Sequence, residues 1–260
     1  MIPPSPLSLD PIKPSRAPHS RLVRLTHWIG AAGFLTLLVT GYVILMAHPR
    51  LYWGETGNNL MPALIELPIS KNHKHGGWEN TTPFSGAVGS PVTANRTFDT
   101  FNENSWGRSL HFLAAWVMMS VGGIYLLGGI FSGHFTRNLV PRLRELRPAL
   151  VLAEFANHMR LRVRAATGGP QYGLLQKCAY FGVVFIALPG TVLTGLTMAP
   201  AVTAAHPWLL DLFGGFQSAR TIHFFLAVAL ALFLAAHVLM VIKSGFKRQM
   251  RSMSLGEPHE

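Results

Sequence analysis

The sequence has few charged residues, few acidic residues and a single cysteine. Charged residues make up 13% of the 260 residues, against roughly a quarter in an ordinary soluble domain. The lone cysteine, Cys178, excludes an internal disulfide, a C-x-x-C-H cofactor attachment and a four-thiolate iron–sulfur cluster within this chain. Histidine, with 12 residues, is therefore the metal ligand that the sequence offers.

The shortage of acidic residues leaves a strong basic excess. There are 22 Lys and Arg against 11 Asp and Glu, while 49% of the residues are hydrophobic and mean hydropathy is +0.30. The charges lie in the links between apolar runs, not along one face that could read nucleic acid. This pattern favours a membrane protein with basic cytoplasmic links and argues against nucleic-acid binding.

Four apolar runs are long enough to cross a bilayer, which needs about 20 helical residues. They occupy residues 28–47, 110–131, 174–199 and 222–242. The first run follows a proline-containing leader and lacks the short apolar segment and small-residue cleavage site of a signal peptide, so we expect it to be retained. The sequence predicts an all-α integral membrane protein with a bundle of four transmembrane helices.

The links predict the orientation of this bundle. The leader (1–26) and the second link (133–173) are basic, and so is the end of the chain when Lys243 and Lys247 are counted with the tail (248–260), whereas the first link (48–108) balances five positive with five negative residues. Basic links face the cytoplasm, which predicts that both termini are cytoplasmic and that the helical domain spans residues 27–247. The long first link either covers a site, docks a partner or is a plain connector. Residues 137–164 are expected to include an amphipathic helix on the lipid surface.

Four histidines lie in or beside the spans, where polar groups are costly and usually functional. His223 and His237 are 14 residues apart on the fourth span, which places them about 21 Å apart and within about 40° of one helix face. With the predicted orientation, His27 and His237 lie at the cytoplasmic level and His111 and His223 at the outer level. One such histidine alone would be read as a hydrogen-bonded core residue, but two pairs at matching depths predict two bis-histidine haems.

The sequence also offers an alternative metal and further candidate residues around these histidine pairs. Zinc is less suitable, because it normally takes four clustered ligands. Cations near the span ends could bind haem propionates, or could only set the topology; these are Arg24, Arg108, Arg220 and Lys243. Glycines could admit a porphyrin or merely allow helix packing; these are Gly30, Gly33, Gly41, Gly122, Gly123, Gly128 and Gly129. His134 is an alternative ligand at the cytoplasmic level.

Short motifs around the histidines resemble a known family. R-L-T-H-W at residues 24–28, G-R-S-L-H at 107–111, Q-K at 176–177 and the His223/His237 pair are similar to the dihaem cytochrome b subunits of formate dehydrogenases and nickel–iron hydrogenases, and to bacterial cytochrome b561. W-G-E-T-G at 53–57 is similar to the membrane anchors of periplasmic molybdenum oxidoreductases. The likeness covers the four spans.

The resemblance implies an electron-transfer subunit in a bacterial inner membrane. Its expected cofactors are two b haems, and its expected partners are ubiquinone or menaquinone and a periplasmic redox subunit. The formate dehydrogenase subunits carry a Y-N-x-x-Q-K pattern beside the quinone. The matching positions here are Tyr172, Gln176 and Lys177, with Gly173 in place of the Asn, which removes one expected quinone contact.

Two other functions remain open from the sequence. The first is a stand-alone oxidoreductase that oxidises superoxide and reduces quinone, which a long docking loop does not favour. The second is a haem-free anchor or a transporter with histidines in a proton path. Transporters commonly have internal repeats and broken helices. Pro189 and Gly190 could break the third span, but no repeat is visible in the sequence.

Overall fold

The computed structural model describes residues 21–58, 61–69, 104–133, 135, 148, 152 and 174–256. These residues form α1 (Arg21–Ala47), β1 (Arg50–Leu51), β2 (Ile65–Glu66), α2 (Asn104–Phe131), α3 (Leu174–Gly182), a π-helical turn (Val183–Ala187), α4 (Leu188–Thr197), α5 (Pro200–Ala205), α6 (Trp208–Phe213), α7 (Phe216–Lys243) and α8 (Phe246–Ser254). The turn joins α3 and α4 into one span, Leu174–Thr197.

The prediction of four membrane-spanning helices is confirmed. Four helices are long and apolar enough to cross a membrane: Arg21–Ala47, Trp106–Phe131, Leu174–Thr197 and Phe216–Lys243. Helices α1, α2 and α7 each begin six or seven residues before the predicted apolar run. Hydropathy marks the part of a helix that suits hydrocarbon, whereas the helix itself continues into the polar interface. His27, His111 and His223 therefore lie inside helices and not at their tips.

Pro189 does not break the third span. A proline inside a helix lacks an N–H and clashes with the carbonyl four residues earlier, which here belongs to Phe185. Phe185 lies within the π-helical turn Val183–Ala187, and Pro189 sits in the first turn of α4. The wider turn accommodates the proline ring, so the span remains continuous.

The four spans form two antiparallel pairs. In the first pair, a Cβ added to Gly33 of α1 would lie 3.1 Å from Met118 of α2, and one added to Gly30 would lie 3.9 Å from Val121. In the second pair, a Cβ on Gly190 would lie 3.0 Å from Leu226 of α7. Backbone packing within each pair is extensive, whereas among the described residues the two pairs hardly approach each other through their backbones. A layer between the pairs is therefore left for side chains and for a flat ligand.

One end of the bundle is covered by part of the first link. Its residues 48–54, here called the strap, contain β1. This strand pairs with β2 in register Arg50↔Glu66 and Leu51↔Ile65. The Gly54 carbonyl accepts the N–H groups of Gln217 (2.9 Å) and Ser218 (3.2 Å) at the start of α7. The strap therefore caps a helix whose first N–H groups have no partners within the helix.

The opposite end, here called the tail end, carries helix α8. This short helix is strongly amphipathic and follows Gly245, which has φ 100°. Arg24 donates to the Ser254 carbonyl (3.0 Å) and Trp28 donates to the Met253 carbonyl (3.2 Å). The start of α1 therefore satisfies the last carbonyls of α8. The amphipathic helix predicted at 137–164 lies almost entirely outside the described residues.

Candidate functional site

The two histidine pairs predicted from the sequence are brought together. The ring centroids of His27 on α1 and His237 on α7 lie 6.3 Å apart, with 56° between the ring planes. Those of His111 on α2 and His223 on α7 lie 6.4 Å apart, with 60° between the planes. Each pair joins one helix of the first antiparallel pair to α7. The histidines therefore face each other across the layer that separates the two helix pairs.

The separation of the rings suits one metal ion between them. Two metal–imidazole bonds of about 2 Å, with the distance from each coordinating nitrogen to its ring centre, place two centroids about 6 Å apart. Among the described residues, no group of three or more His, Cys, Asp or Glu side chains is arranged to hold a metal ion. Two axial nitrogens and space at the sides fit a haem iron, whose other four ligands come from the porphyrin.

His111 and His223 are both anchored by threonines. Thr40 Oγ1 lies 2.9 Å from His111 Nδ1. Thr194 Oγ1 and the Thr191 carbonyl each lie 3.0 Å from His223 Nδ1. These contacts involve Nδ1 of each ring and leave Nε2 available to bind a metal. Partners of this kind commonly orient the histidine ligands of metals.

Glycines follow two of these threonines. A Cβ added to Gly41 would lie 3.5 Å from His111 Cε1, and one added to Gly195 would lie 3.4 Å from His223 Cε1. These are ordinary van der Waals distances, so each ring lies directly against the neighbouring helix. Of the seven glycines singled out from the sequence, only Gly41 lies within 4 Å of a ligand candidate in this way. Gly30 and Gly33 serve helix packing.

His27 and His237 have aromatic neighbours. The ring of Phe233 stacks on that of His237, with centroids 6.2 Å apart and 21° between the planes. Trp28 meets His27 edge-on at 5.4 Å. Both histidines are half-buried. Aromatic rings therefore pack against both histidines of this pair.

The four cations predicted to bind propionates have different positions. Arg220 donates from Nη1 to the Arg50 carbonyl (2.9 Å) and from Nη2 to the His48 carbonyl, so it holds the strap. Arg24 holds α8, as described above. Arg108 is exposed near the start of α2, and Lys243 is exposed at the end of α7. Two of the four predicted propionate ligands, Arg220 and Arg24, therefore hold other parts of the chain. The other two, Arg108 and Lys243, remain exposed candidates.

The predicted quinone contacts lie at the tail end. Gln176 Nε2 donates to the Tyr180 hydroxyl (3.0 Å), and the Tyr180 ring meets Phe233 at 6.0 Å. Phe233 in turn stacks on His237. Lys177 is buried, with 8% of its surface exposed. Tyr172, like His134, lies outside the described residues. Gln176 is thus connected to His237 through two aromatic rings.

The strap contains a histidine, His48, whose pKa is lowered. Burial, and then the charges of Arg220 and Arg50, lower the pKa of His48 from 6.5 to about 4. The His48 ring stacks on Tyr52 (5.8 Å, 25°). The fully buried Arg50 has its Nε 3.9 Å from Glu66 Oε1. His48 is therefore neutral at pH 7 in the folded strap.

Several residues of the site could not be assigned from the sequence. They are Thr40, Thr191, Thr194 and Gly195 at the histidines, and Ser218 and Thr221 under the strap. Thr221 donates to the Tyr52 carbonyl (2.6 Å), and Gly54 donates to Ser218 Oγ (2.7 Å). The Thr-Gly dipeptide at 40–41 and 194–195 does not single out the first group, because the same dipeptide also occurs at 56–57 and 167–168.

Comparisons with known proteins identify the family of this chain. The family model described as prokaryotic cytochrome b561 matches residues 18–256. A protein of Azospira oryzae named putative protein-methionine-sulfoxide reductase subunit YedZ1 is 28% identical over 224 residues, which cover 86% of this chain and 89% of that protein. No solved structure matches the chain. The chain therefore belongs to the prokaryotic cytochrome b561 family and is a multi-pass membrane haem protein of bacteria.

Proposed function

We propose that this chain is an electron-transfer subunit that carries electrons between the quinone pool and a periplasmic oxidoreductase, through two b haems in the bacterial inner membrane. The observation that carries this proposal is the pair of histidine pairs, each spaced for one iron and both joined to α7. The proposed axial ligands are His27 with His237 and His111 with His223. When bound, haems held in this way supply one-electron carriers with no open iron position.

The residues of the chain provide the positions and the surroundings of these carriers. Helix α7 fixes His223 and His237 on one face, about 21 Å apart along the helix. Thr40 and Thr194 anchor the rings at the strap end, while Phe233 packs against His237 at the tail end. The tail end is proposed to be cytoplasmic, because α1 begins and α2 and α7 end there, next to the leader, the second link and the tail that the sequence predicts to be cytoplasmic.

A quinone site is proposed at the tail end. Support comes from the path that runs from Gln176 through Tyr180 and Phe233 to His237. The amide and phenol are hydrogen-bonding groups suited to a quinone oxygen, and Lys177 lies on the same helix. Replacing Gln176 with Ala is expected to raise the quinol KM, while Lys247→Met, at an exposed cation of α8 at the same end, should leave it unchanged.

The strap end is proposed to face the periplasmic partner. The relative from Azospira oryzae is named as a subunit of a reductase, which favours a complex over a stand-alone enzyme. Trp53 on the strap is 63% exposed, and Trp208 on α6 is 56% exposed. Aromatic side chains of this kind are common at the centres of protein interfaces. We propose a molybdenum oxidoreductase or a similar redox enzyme as the partner.

Haem stoichiometry in three proteins tests the proposal. The purified wild-type chain should give a reduced b-type spectrum with two haems per chain. His223→Ala should lose the haem at the strap end and keep the other, and His237→Ala should do the reverse. A redox titration distinguishes the two remaining haems by their midpoint potentials. A folded wild-type protein without haem, or a His223→Ala variant that retains both haems, would contradict the proposal.

A further inference from the structure

The two helix pairs repeat one arrangement at the strap end. His111 and His223 are each the eighth residue of a 28-residue helix. Each ring lies against a Thr-Gly step near the end of the antiparallel partner, which is Thr40-Gly41 for His111 and Thr194-Gly195 for His223. The same contact is therefore built twice, once in each helix pair.

The hydrogen bonds around His111 determine which ring nitrogen carries the proton. Thr40 Oγ1 has one hydrogen, and the Thr36 carbonyl accepts it at 2.7 Å. Toward His111 Nδ1, at 2.9 Å, the hydroxyl therefore acts as the acceptor. Nδ1 consequently carries the proton, and Nε2 has a free lone pair.

The hydrogen bonds around His223 lead to the same result. The Thr191 carbonyl, 3.0 Å from Nδ1, can only accept. Thr194 Oγ1 donates to the Gly190 carbonyl (2.7 Å) and is 3.0 Å from the same Nδ1. His223 therefore also presents an unprotonated Nε2.

We propose that Thr40 and Thr194 are positioning residues that fix the tautomer and the ring plane of His111 and His223 for the haem at the strap end. This inference rests on the proposed function. Both threonines contact the rings of the strap-end pair, and the other pair, His27 and His237, lies at the tail end. The second haem is therefore an internal reference within the same molecule.

Replacing each threonine with valine keeps the shape of the side chain and removes the acceptor. A hydrogen-bond acceptor on Nδ1–H raises the basicity of a ligating imidazole, which favours the oxidised metal. The double variant Thr40→Val/Thr194→Val is therefore expected to raise the midpoint potential of the strap-end haem. Its affinity for that haem is expected to fall by about 10–100-fold, as for other partners of metal-bound histidines.

The test is a potentiometric titration of both haems, with low-spin electron paramagnetic resonance spectra that report the ring planes. Thr197→Val is the matched control, because Thr197 is as buried as Thr194 and donates only to the Leu193 carbonyl. Thr40→Ser and Thr194→Ser keep the hydroxyl and should keep the wild-type potentials. A shift confined to the strap-end haem in the valine variants supports the proposal.

Three outcomes would overturn it: no shift in the valine variants, equal shifts in both haems, or the same shift in Thr197→Val. The single valine variants are interpreted in the same way. Failure of the proposed function gives a different result, because His223→Ala would then leave both haems in place. If His223→Ala loses one haem and Thr40→Val/Thr194→Val has wild-type spectra and potentials, only the positioning role is wrong.

Discussion

The two ends of the bundle hold similar histidine pairs by different means. At the strap end, hydrogen bonds to Thr40, Thr194 and the Thr191 carbonyl fix His111 and His223, and the strap covers the start of α7. At the tail end, His27 and His237 have aromatic neighbours, and two side chains of α1 hold α8. The difference predicts a more rigid strap end and a more adaptable tail end.

This difference suits the two proposed partners. A quinone must enter and leave a membrane site, and such motion is easier where few hydrogen bonds hold the surrounding elements. A protein partner instead needs a surface of fixed shape for docking. Substitutions at matched positions of the two ends test whether the ends are held independently.

The largest effect is expected for Gly215→Ala. Gly215 has φ 108° and ψ 168°, a conformation that is essentially restricted to glycine. A Cβ there would also lie 2.5 Å from the Gly54 backbone carbon. Backbone strain and overlap together are expected to destabilise the strap by about 3–6 kcal/mol. Hydrogen exchange of residues 48–54, followed by mass spectrometry, should rise to that of an unfolded segment.

Gly245 is the matched position at the tail end. Its φ is 100°, but a Cβ there would lie 3.8 Å from its nearest neighbour, Arg248, so Gly245→Ala adds strain without overlap. Gly245→Ala should loosen α8 by about 1–3 kcal/mol and leave the strap protected. Equal exchange of the strap in both variants would show that the two ends are not independent.

The second prediction compares the two arginines that hold the ends. Arg220→Met removes two donors to strap carbonyls, and a hydrogen bond from a charged group contributes about 1.5–3 kcal/mol. Because water reaches part of this site, we expect a loss of about 2–3 kcal/mol for the strap. Arg24→Met removes one donor to Ser254 and should have about half the effect, confined to α8. Hydrogen exchange of the two segments measures both.

The histidine pairing could be predicted because it depends on regularities that one sequence contains. Hydropathy locates the spans, the basic links orient them, and helix geometry converts the spacing of His223 and His237 into depth. The contacts of Thr40 and Thr194 depend on the register and rotation of one helix against another. Periodicity within a single helix does not determine that register, so these threonines could not be distinguished from other buried threonines.

The strap was beyond sequence reasoning for a different reason. Arg220, Ser218 and Thr221 bind backbone groups that lie 164–172 residues away in the chain. Every residue except proline carries the same N–H and C=O, so a backbone partner leaves no signal in the sequence. Helix α8, in contrast, could have been found, since Phe246, Met250 and Met253 recur at helical spacing.

The third prediction concerns the pH dependence of the strap. In the folded strap the pKa of His48 is lowered to about 4, chiefly by burial and then by Arg220 and Arg50, whereas in a released strap it returns toward 6.5. The released form therefore binds a proton that the folded form excludes, and stability falls as the pH is lowered from 6.5 toward 4. Above pH 6.5 this contribution is complete and constant.

His48→Gln should remove this dependence. The measurement is the difference in thermal midpoint between wild type and His48→Gln at several pH values, in which the contributions of other titrating groups cancel. The midpoint of the wild type should fall relative to that of the variant between pH 6.5 and 4. A difference that stays constant over this range would show that His48 is not protected in the folded strap.

The smallest effect is expected for Trp28→Phe at the tail end. The substitution keeps an aromatic ring beside His27 but removes the indole N–H that donates to the Met253 carbonyl at 3.2 Å. One neutral hydrogen bond contributes about 0.5–1.5 kcal/mol, so exchange of residues 246–254 should rise by about two- to tenfold while the strap is unchanged. Trp53→Phe, at an exposed tryptophan of the strap, serves as the control and should alter neither segment. If Trp28→Phe instead raised the hydrogen exchange of the strap, the tail end would be coupled to the strap end through the bundle. The two histidine pairs would then belong to a single cooperative structure and would not be held separately.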